Sequence, residues 1–268
     1  MAGQGMNVSM MDAYDLAWKL IYAIHGLTPD PQALLETFSY DRRENALNLI
    51  DMDKRWYERR LASFESVAEA TTDYMQIEMR GFISGIGIEY DIGFLVDEKT
   101  GSLPDGPINS TDFASGVLRE GRRFADVVVT RFADGVPRHM QDEFPSDGRF
   151  RLLVLASKDL LDPKGVSATT LATICEKMVP SFTPGVLEVV VLHPLEPHSF
   201  EWTDIPATVK DVAEMQFHCA DAAAYGAYGV NPAGGALVVV RPDGYIGTIG
   251  HLNDLAKIEG YLKRCLRP

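Results

Sequence analysis

The chain has 268 residues, of which 46% are hydrophobic, 24% charged and 9% aromatic, with a mean hydropathy of -0.06. This is a composition for one large globular domain or two modest ones, and it excludes a fibrous or disordered chain. The 38 acidic against 25 basic residues give a formal net charge of -13, which disfavours a nucleic-acid partner.

No apolar run is long enough for a membrane span and no leader pattern opens the chain, so a cytoplasmic location is expected. Cys175, Cys219 and Cys265 are odd in number and far apart. They fit reduced, buried thiols better than a disulfide or zinc framework.

In chain order, Met6 to His25 lacks Pro and Gly. Met11, Tyr14, Trp18 and Ile21 recur on one helical face, and Gly26 ends the helix before Pro29 and Pro31. A second helix is expected from Pro31 to about Ser63, with a break near Asp41 and with the charged Asp41-Arg42-Arg43-Glu44 segment as a solvated or intersubunit face. Between Gly81 and Gly121, clustered Gly, Pro, Ser and Asp predict sparse regular structure.

From there the chain alternates. Strands are expected at Val127 to Phe132, Phe150 to Ala156, Leu187 to Leu192, Ala236 to Arg241 and Tyr245 to Ile249. Helices are expected at Ser167 to Met178 and at about Asn253 to Arg264, and Pro242-Asp243-Gly244 reads as a hairpin turn. The order strand, helix, strand, hairpin, helix resembles the thioredoxin-like arrangement. The fold class expected is α/β (α+β overall), an N-terminal helical part followed by a thioredoxin-like domain with a mixed central sheet.

Chemistry concentrates at the start of the chain. Gly3-Gln4-Gly5-Met6-Asn7 is a glycine-bracketed turn running into a long helix, so it offers unpaired backbone N–H groups and the positive end of a helix dipole. Asp12, Ala13, Leu16, Ala17, Trp18, Lys19 and Leu20 follow in that helix. Together they resemble the second flavin-binding motif of the FAD-dependent aromatic hydroxylases, in particular the fungal phenol 2-monooxygenase branch.

The resemblance continues through Leu34 to Arg43, Gly121-Arg122-Arg123, Asp147 to Val154 and Arg241 to Gly247. Asn45 follows Glu44 where that family has a proline soon after its arginines. It implies three parts: residues 1–80 as the helical C-terminal part of an FAD-binding monooxygenase domain, 81–121 as a linker, and 122–268 as a thioredoxin-like dimerisation domain.

It further implies FAD as cofactor, NADPH as co-substrate and O2 as oxidant for hydroxylating a phenolic or polyketide-derived aromatic substrate, in a homodimer or a pairing with a full-length hydroxylase. Gly3, Gln4, Gly5, Met6 and Asn7 are the cofactor-binding candidates, lying against the pyrimidine side of the flavin. No catalytic residue is assigned within the chain.

The GxGxxG turn that holds the ADP half of FAD is missing: Gly81, Gly85 and Gly87 have the wrong spacing. The expectation is the C-terminal portion of such an enzyme, from a truncated gene or as a genuine short protein. The alternative is a non-catalytic dimerisation or scaffold protein that has lost the catalytic half. Either way the face of Met11, Tyr14 and Trp18 is expected to lack its partner sheet.

Other groupings read more plainly. Prolines around Glu196 deny His193, Glu196 and His198 the geometry of a helical metal site. His218 and Cys219 are sequence neighbours, a poor arrangement for a nucleophile and its base. Ser157-Lys158-Asp159 stands where a thiol oxidoreductase of this fold would carry CxxC, which disfavours thiol redox chemistry. A peroxiredoxin-like reading of the Ala133 to Phe150 region lacks a plausible peroxidatic cysteine.

Overall fold

Two long helices begin the computed structural model, which describes residues 5–62, 85–99, 117–196, 199–213 and 215–268. Helix α1 (Gly5–Ile24) stops where Gly26 takes a φ of +65°. That left-handed conformation suits glycine and reverses the chain. Helix α2 (Pro31–Ala62) starts with Pro31 in its first turn, and the Asp30 carboxylate accepts from Ala33 N–H at 2.9 Å.

α2 runs unbroken through Asp41, contrary to the expected interruption. No Gly or Pro occurs after Pro31 within it, and clustered charge alone does not stop a helix. Residues 85–99 form turns and isolated bridges, Glu89 with Arg122 and Gly93 with Val96, as the Gly-rich composition predicts.

The rest builds one seven-stranded mixed sheet. Its strands are β1 (Val128–Arg131), β2 (Pro137–His139), β3 (Phe150–Leu155), β4 (Leu187–His193), β5 (Phe217–Cys219), β6 (Ala236–Val240) and β7 (Ile246–Gly250), in the order β2-β1-β5-β4-β3-β6-β7. β3, β4 and β5 run parallel; every other pairing is antiparallel. Helix α3 (Val166–Thr173), widened into a π-turn over Ile174–Met178, makes the crossover from β3 to β4. The remaining α-helices among the described residues are α4 (Ala207–Ala213), α5 (Ala222–Ala227) and α6 (Leu255–Cys265).

Both faces of the sheet are covered, so β3 and β6 are buried throughout and, Arg151 of β3 apart, apolar rather than alternating. Leu152, Val154, Val189, Val191, Leu237 and Val239 meet α3 and α6 on one face. Leu153, Leu155, Val190, Leu192 and Val238 meet Tyr225 and Tyr228 on the other. Each such side chain contributes about 1.5–3 kcal/mol on burial.

α1 lies on the first of these faces. Trp18 and Tyr22 are almost fully buried beside Phe150, with ring centroids 5.9 and 5.8 Å from it, and Tyr22 Oη donates to Gly148 O at 2.7 Å. The helix therefore has a partner sheet, contrary to expectation, and it is the sheet of the C-terminal part. Ile21, expected on the buried face, is 51% exposed; Asp15, Trp18, Lys19 and Tyr22 form that face instead.

Candidate functional site

Of the five cofactor-binding candidates, Gly3 and Gln4 lie outside the described residues. Gly5, Met6 and Asn7 form the exposed first turn of α1. That turn contains no acidic side chain, and a Cβ built on Gly5 would meet nothing within 4 Å. An open helix start without a carboxylate suits an electron-rich, partly anionic ring edge. These residues fit one edge of a flavin.

Behind the turn, α1, α2 and the β6–β7 hairpin meet in a buried charge cluster. Lys19 Nζ donates to Asp15 at 2.7 Å and lies 3.9 Å from Asp41. Arg241 ion-pairs with Asp243, its Nε donating at 3.1 Å, and lies 3.8 Å from Asp41. Arg42 pairs with Asp12 and donates to Tyr90 Oη at 3.0 Å. Arg241 also stacks over the rings of Tyr90 and Tyr245, at 5.1 and 5.8 Å.

Burial governs how these groups ionise. It raises Asp15 to about 6, helped by the Asp243 charge and opposed by Lys19. It also lowers the Lys19 ammonium and raises Asp41. For Asp243 burial pushes upward, but the charges of Arg241 and Lys19 outweigh it and hold the carboxyl low. The Asp41-Arg42-Arg43-Glu44 segment is thus only half solvent-facing. Asp41 and Arg42 are buried in the cluster, where they find partners, while Arg43 and Glu44 are exposed.

The cluster gathers residues from stretches more than 200 positions apart, and Asp12, Lys19, Asp41, Arg42, Arg241 and Asp243 fall within the sequence motifs singled out above, whereas Asp15 and Tyr90 were not singled out. Their side chains lock two helices to a hairpin. The motif spacing carried that signal, but the chain-order reading did not bring the stretches together. Tyr14 adds a tie, its hydroxyl donating to Pro242 O at 2.8 Å. Beside it an open cleft of about 380 Å³ runs between Met10, Met11 and Tyr14 of α1 and Arg123, Phe144 and Pro242 opposite.

The start of α3 is closed by its own loop. Asp159 accepts from Val166 N–H at 2.6 Å and Ser167 N–H at 3.2 Å, and Ser157 N–H donates to Ser167 Oγ at 2.8 Å. A Cβ on Gly165 would stand 2.2 Å from Asp159 O, so the loop is moulded around that glycine. In place of a thiol, this loop holds a carboxylate that accepts from the first N–H groups of α3, whose N-cap residue is Gly165.

All three cysteines are free. Burial pushes Cys175 up to about 12 and Cys265 to about 11 and also raises Cys219, whose Sγ donates to Leu195 O at 3.1 Å. Such thiols are poor nucleophiles at neutral pH. His193 and His218 are buried and driven down to about 4, by burial first. His198 lies outside the described residues, among which no group of three His, Cys, Asp or Glu side chains could hold a metal ion. Among them, too, no helix is long and apolar enough to cross a membrane.

The phenol hydroxylase C-terminal dimerisation domain model matches residues 88–268, and an FAD binding domain model matches residues 1–53. The chain belongs to the phenol hydroxylase C-terminal dimerisation domain family. A flavin-dependent oxygenase of Aspergillus ustus is 31% identical over 99% of the chain and 41% of its own length. A phenol 2-monooxygenase of Aspergillus fumigatus is 28% identical over 94% of the chain and 43% of its own length.

The chain thus spans less than half the length of these curated relatives. Among solved structures, the flavin-dependent monooxygenase PieE, in complex with FAD and substrate, matches with a TM-score of 0.61 at 18% identity. It covers 98% of this chain and 44% of its own. That likeness shows a shared fold.

Proposed function

We propose that the chain is the C-terminal portion of an FAD-dependent monooxygenase that hydroxylates a phenolic or polyketide-derived aromatic ring with NADPH and O2, and that it pairs as a homodimer. In this reading residues 1–80 complete the flavin domain, 81–121 link, and 122–268 dimerise. One observation carries it: the open, carboxylate-free turn at Gly5, Met6 and Asn7 heads the helix that the buried charge cluster fixes to the dimerisation fold.

FAD, when bound, supplies hydride acceptance and oxygen activation. The chain's own contribution is positional. With FAD bound, Gly5 to Asn7 would offer backbone N–H groups to the pyrimidine edge of the flavin, where the helix dipole favours negative charge, and Gly3 and Gln4 are the further binding candidates ahead of them. Asp15, Lys19, Asp41 and Arg241 hold α1 at a fixed pitch behind that turn.

The test is a chimaera in which this chain replaces the matching segment of the Aspergillus ustus relative. A yellow protein that oxidises NADPH in the presence of a phenol is expected. Gly5→Asp, which sets a carboxylate at the helix start, should weaken FAD retention at least tenfold. A colourless, stable dimer would favour the non-catalytic scaffold instead.

A further inference from the structure

The Gly121-Arg122-Arg123 stretch leaves one guanidinium over. Arg122 is buried and donates to Val117 O at 3.1 Å. Arg123 is half-buried and has no ion pair among the described residues; its Cζ lies 6.0 Å from the Tyr245 ring. That contact steadies the side chain without neutralising it. In a chain with a net charge of -13, a cation without a carboxylate partner is a place where an outside anion gains most.

Arg123 lines the open cleft beside α1, whose volume of about 380 Å³ lies within the roughly 300–1,000 Å³ of small-molecule sites. Met10, Met11 and Tyr14 line it from α1, Phe144 and Pro242 from the other side. Tyr14 is held by its hydroxyl on Pro242 O, and Phe144 is stacked on Phe124 with centroids 5.2 Å apart. Both rings are thus fixed walls, while the methionine thioethers adapt to an aromatic guest.

The other charges of the cleft are spoken for. Arg151 pairs with Asp147 and Glu188, and Arg241 with Asp243, although Arg241 Nη1 has no hydrogen-bond partner among the described residues. One open cation among neutralised pairs accommodates one negative charge, and Asp243, which lines the same cleft, opposes a second.

We infer that this cleft binds a small aromatic carboxylate, its carboxylate on the fork of Arg123 and its ring between the α1 methionines and Phe144. Gly5, Met6 and Asn7 do not line the cleft, so the site needs no FAD and stands independently of the flavin reading. Its walls come from α1 and from the dimerisation fold, and an occupant therefore ties one to the other.

The experiment titrates the full chain with sodium 1-naphthoate in a calorimeter. One site per chain is expected, with a dissociation constant of about 1 mM or tighter, and saturation should raise the melting midpoint by a few degrees. Two control probes, uncharged 1-naphthalenemethanol and ring-free acetate, should each bind at least tenfold more weakly. Arg123→Gln should weaken naphthoate at least tenfold. Met10→Glu, at a position 63% exposed, sets a like charge at the mouth and should do the same in a protein whose circular dichroism is unchanged. Lys263→Gln removes an exposed cation from α6, outside the cleft, and should leave binding as it was.

The inference is overturned if naphthoate does not bind, or if its binding ignores both cleft variants. Equal affinity for 1-naphthalenemethanol would reduce the site to an apolar groove, and equal affinity for acetate or displacement by inorganic phosphate would reduce it to a general anion site; each overturns the assignment to an aromatic carboxylate.

Discussion

Single titrating side chains make the stability of this protein depend on pH in opposing ways. Asp15 has a folded pKa of about 6 against an ordinary 3.8, so the folded state binds its proton first. Its contribution improves as pH falls through 6 and is complete below 3.8, a gain of roughly 3 kcal/mol. His193 and His218 fall to about 4 from 6.5. Each contributes fully above 6.5 and loses roughly 3 kcal/mol as pH falls toward 4. Asp41, also raised by burial, adds a gain of the same sign as Asp15. Relative to the unmodified protein, the change in melting temperature between about pH 7 and about pH 4.5 should shift downward in Asp15→Asn, which lacks one gain, and upward in His193→Leu, which lacks one loss. Equal slopes in a thermal-melt series of the three proteins would contradict this assignment. None of this was visible in the sequence, where Asp15 and Lys19 look like ordinary surface charges on a helix. Their burial depends on Asp41 and Arg241, which arrive from elsewhere in the chain.

At the level of elements, what the sequence made legible follows from length and local chemistry. β3, β4, β6 and β7 are runs of five to seven residues, long enough to register as apolar blocks. The Pro242-Asp243-Gly244 turn announced its own geometry, with Gly244 at a φ of +82°. β2 and β5, with three residues each, and the short α4 and α5 carry too little pattern to stand out. For α1 the helix was legible and so was most of its inward side, with Trp18 buried and Met11 and Tyr14 half-buried; Ile21 is exposed because Asp15 and Lys19 take buried positions that periodicity reserves for apolar residues. The anchor of this helix is Trp18, edge-on to both Tyr22 and Phe150. Trp18→Ala should cost about 3–5 kcal/mol. In this variant, whose anchor is gone, hydrogen exchange should show protection lost first along Gly5–Ile24, while β3 and β6 keep theirs. Uniform loss over helix and sheet would mean that α1 has no separate opening.

Over the whole molecule, the boundary expected from composition and the boundary set by packing do not coincide. Composition changes near residue 80, and the two family models meet between residues 53 and 88. Yet Trp18, Tyr22 and Leu34 share one core with Phe150, Leu152, Ile258 and Tyr261, and the charge cluster crosses the same line. A charge at such a crossing cannot be withdrawn alone, since an ion left buried without its partner costs about 3–5 kcal/mol. The helical pair and the sheet are accordingly expected to unfold together. Far-UV circular dichroism, dominated by the backbone, and tryptophan emission, to which Trp18 contributes from the junction, should trace one thermal transition with one midpoint. If the midpoints differ by more than about 5 °C, beyond roughly 1–2 kcal/mol of stability, the helices are a separate unit lying on the sheet. A single midpoint would mean that the dimerisation fold sets the pitch of α1, and with it the aim of the turn at Gly5–Asn7.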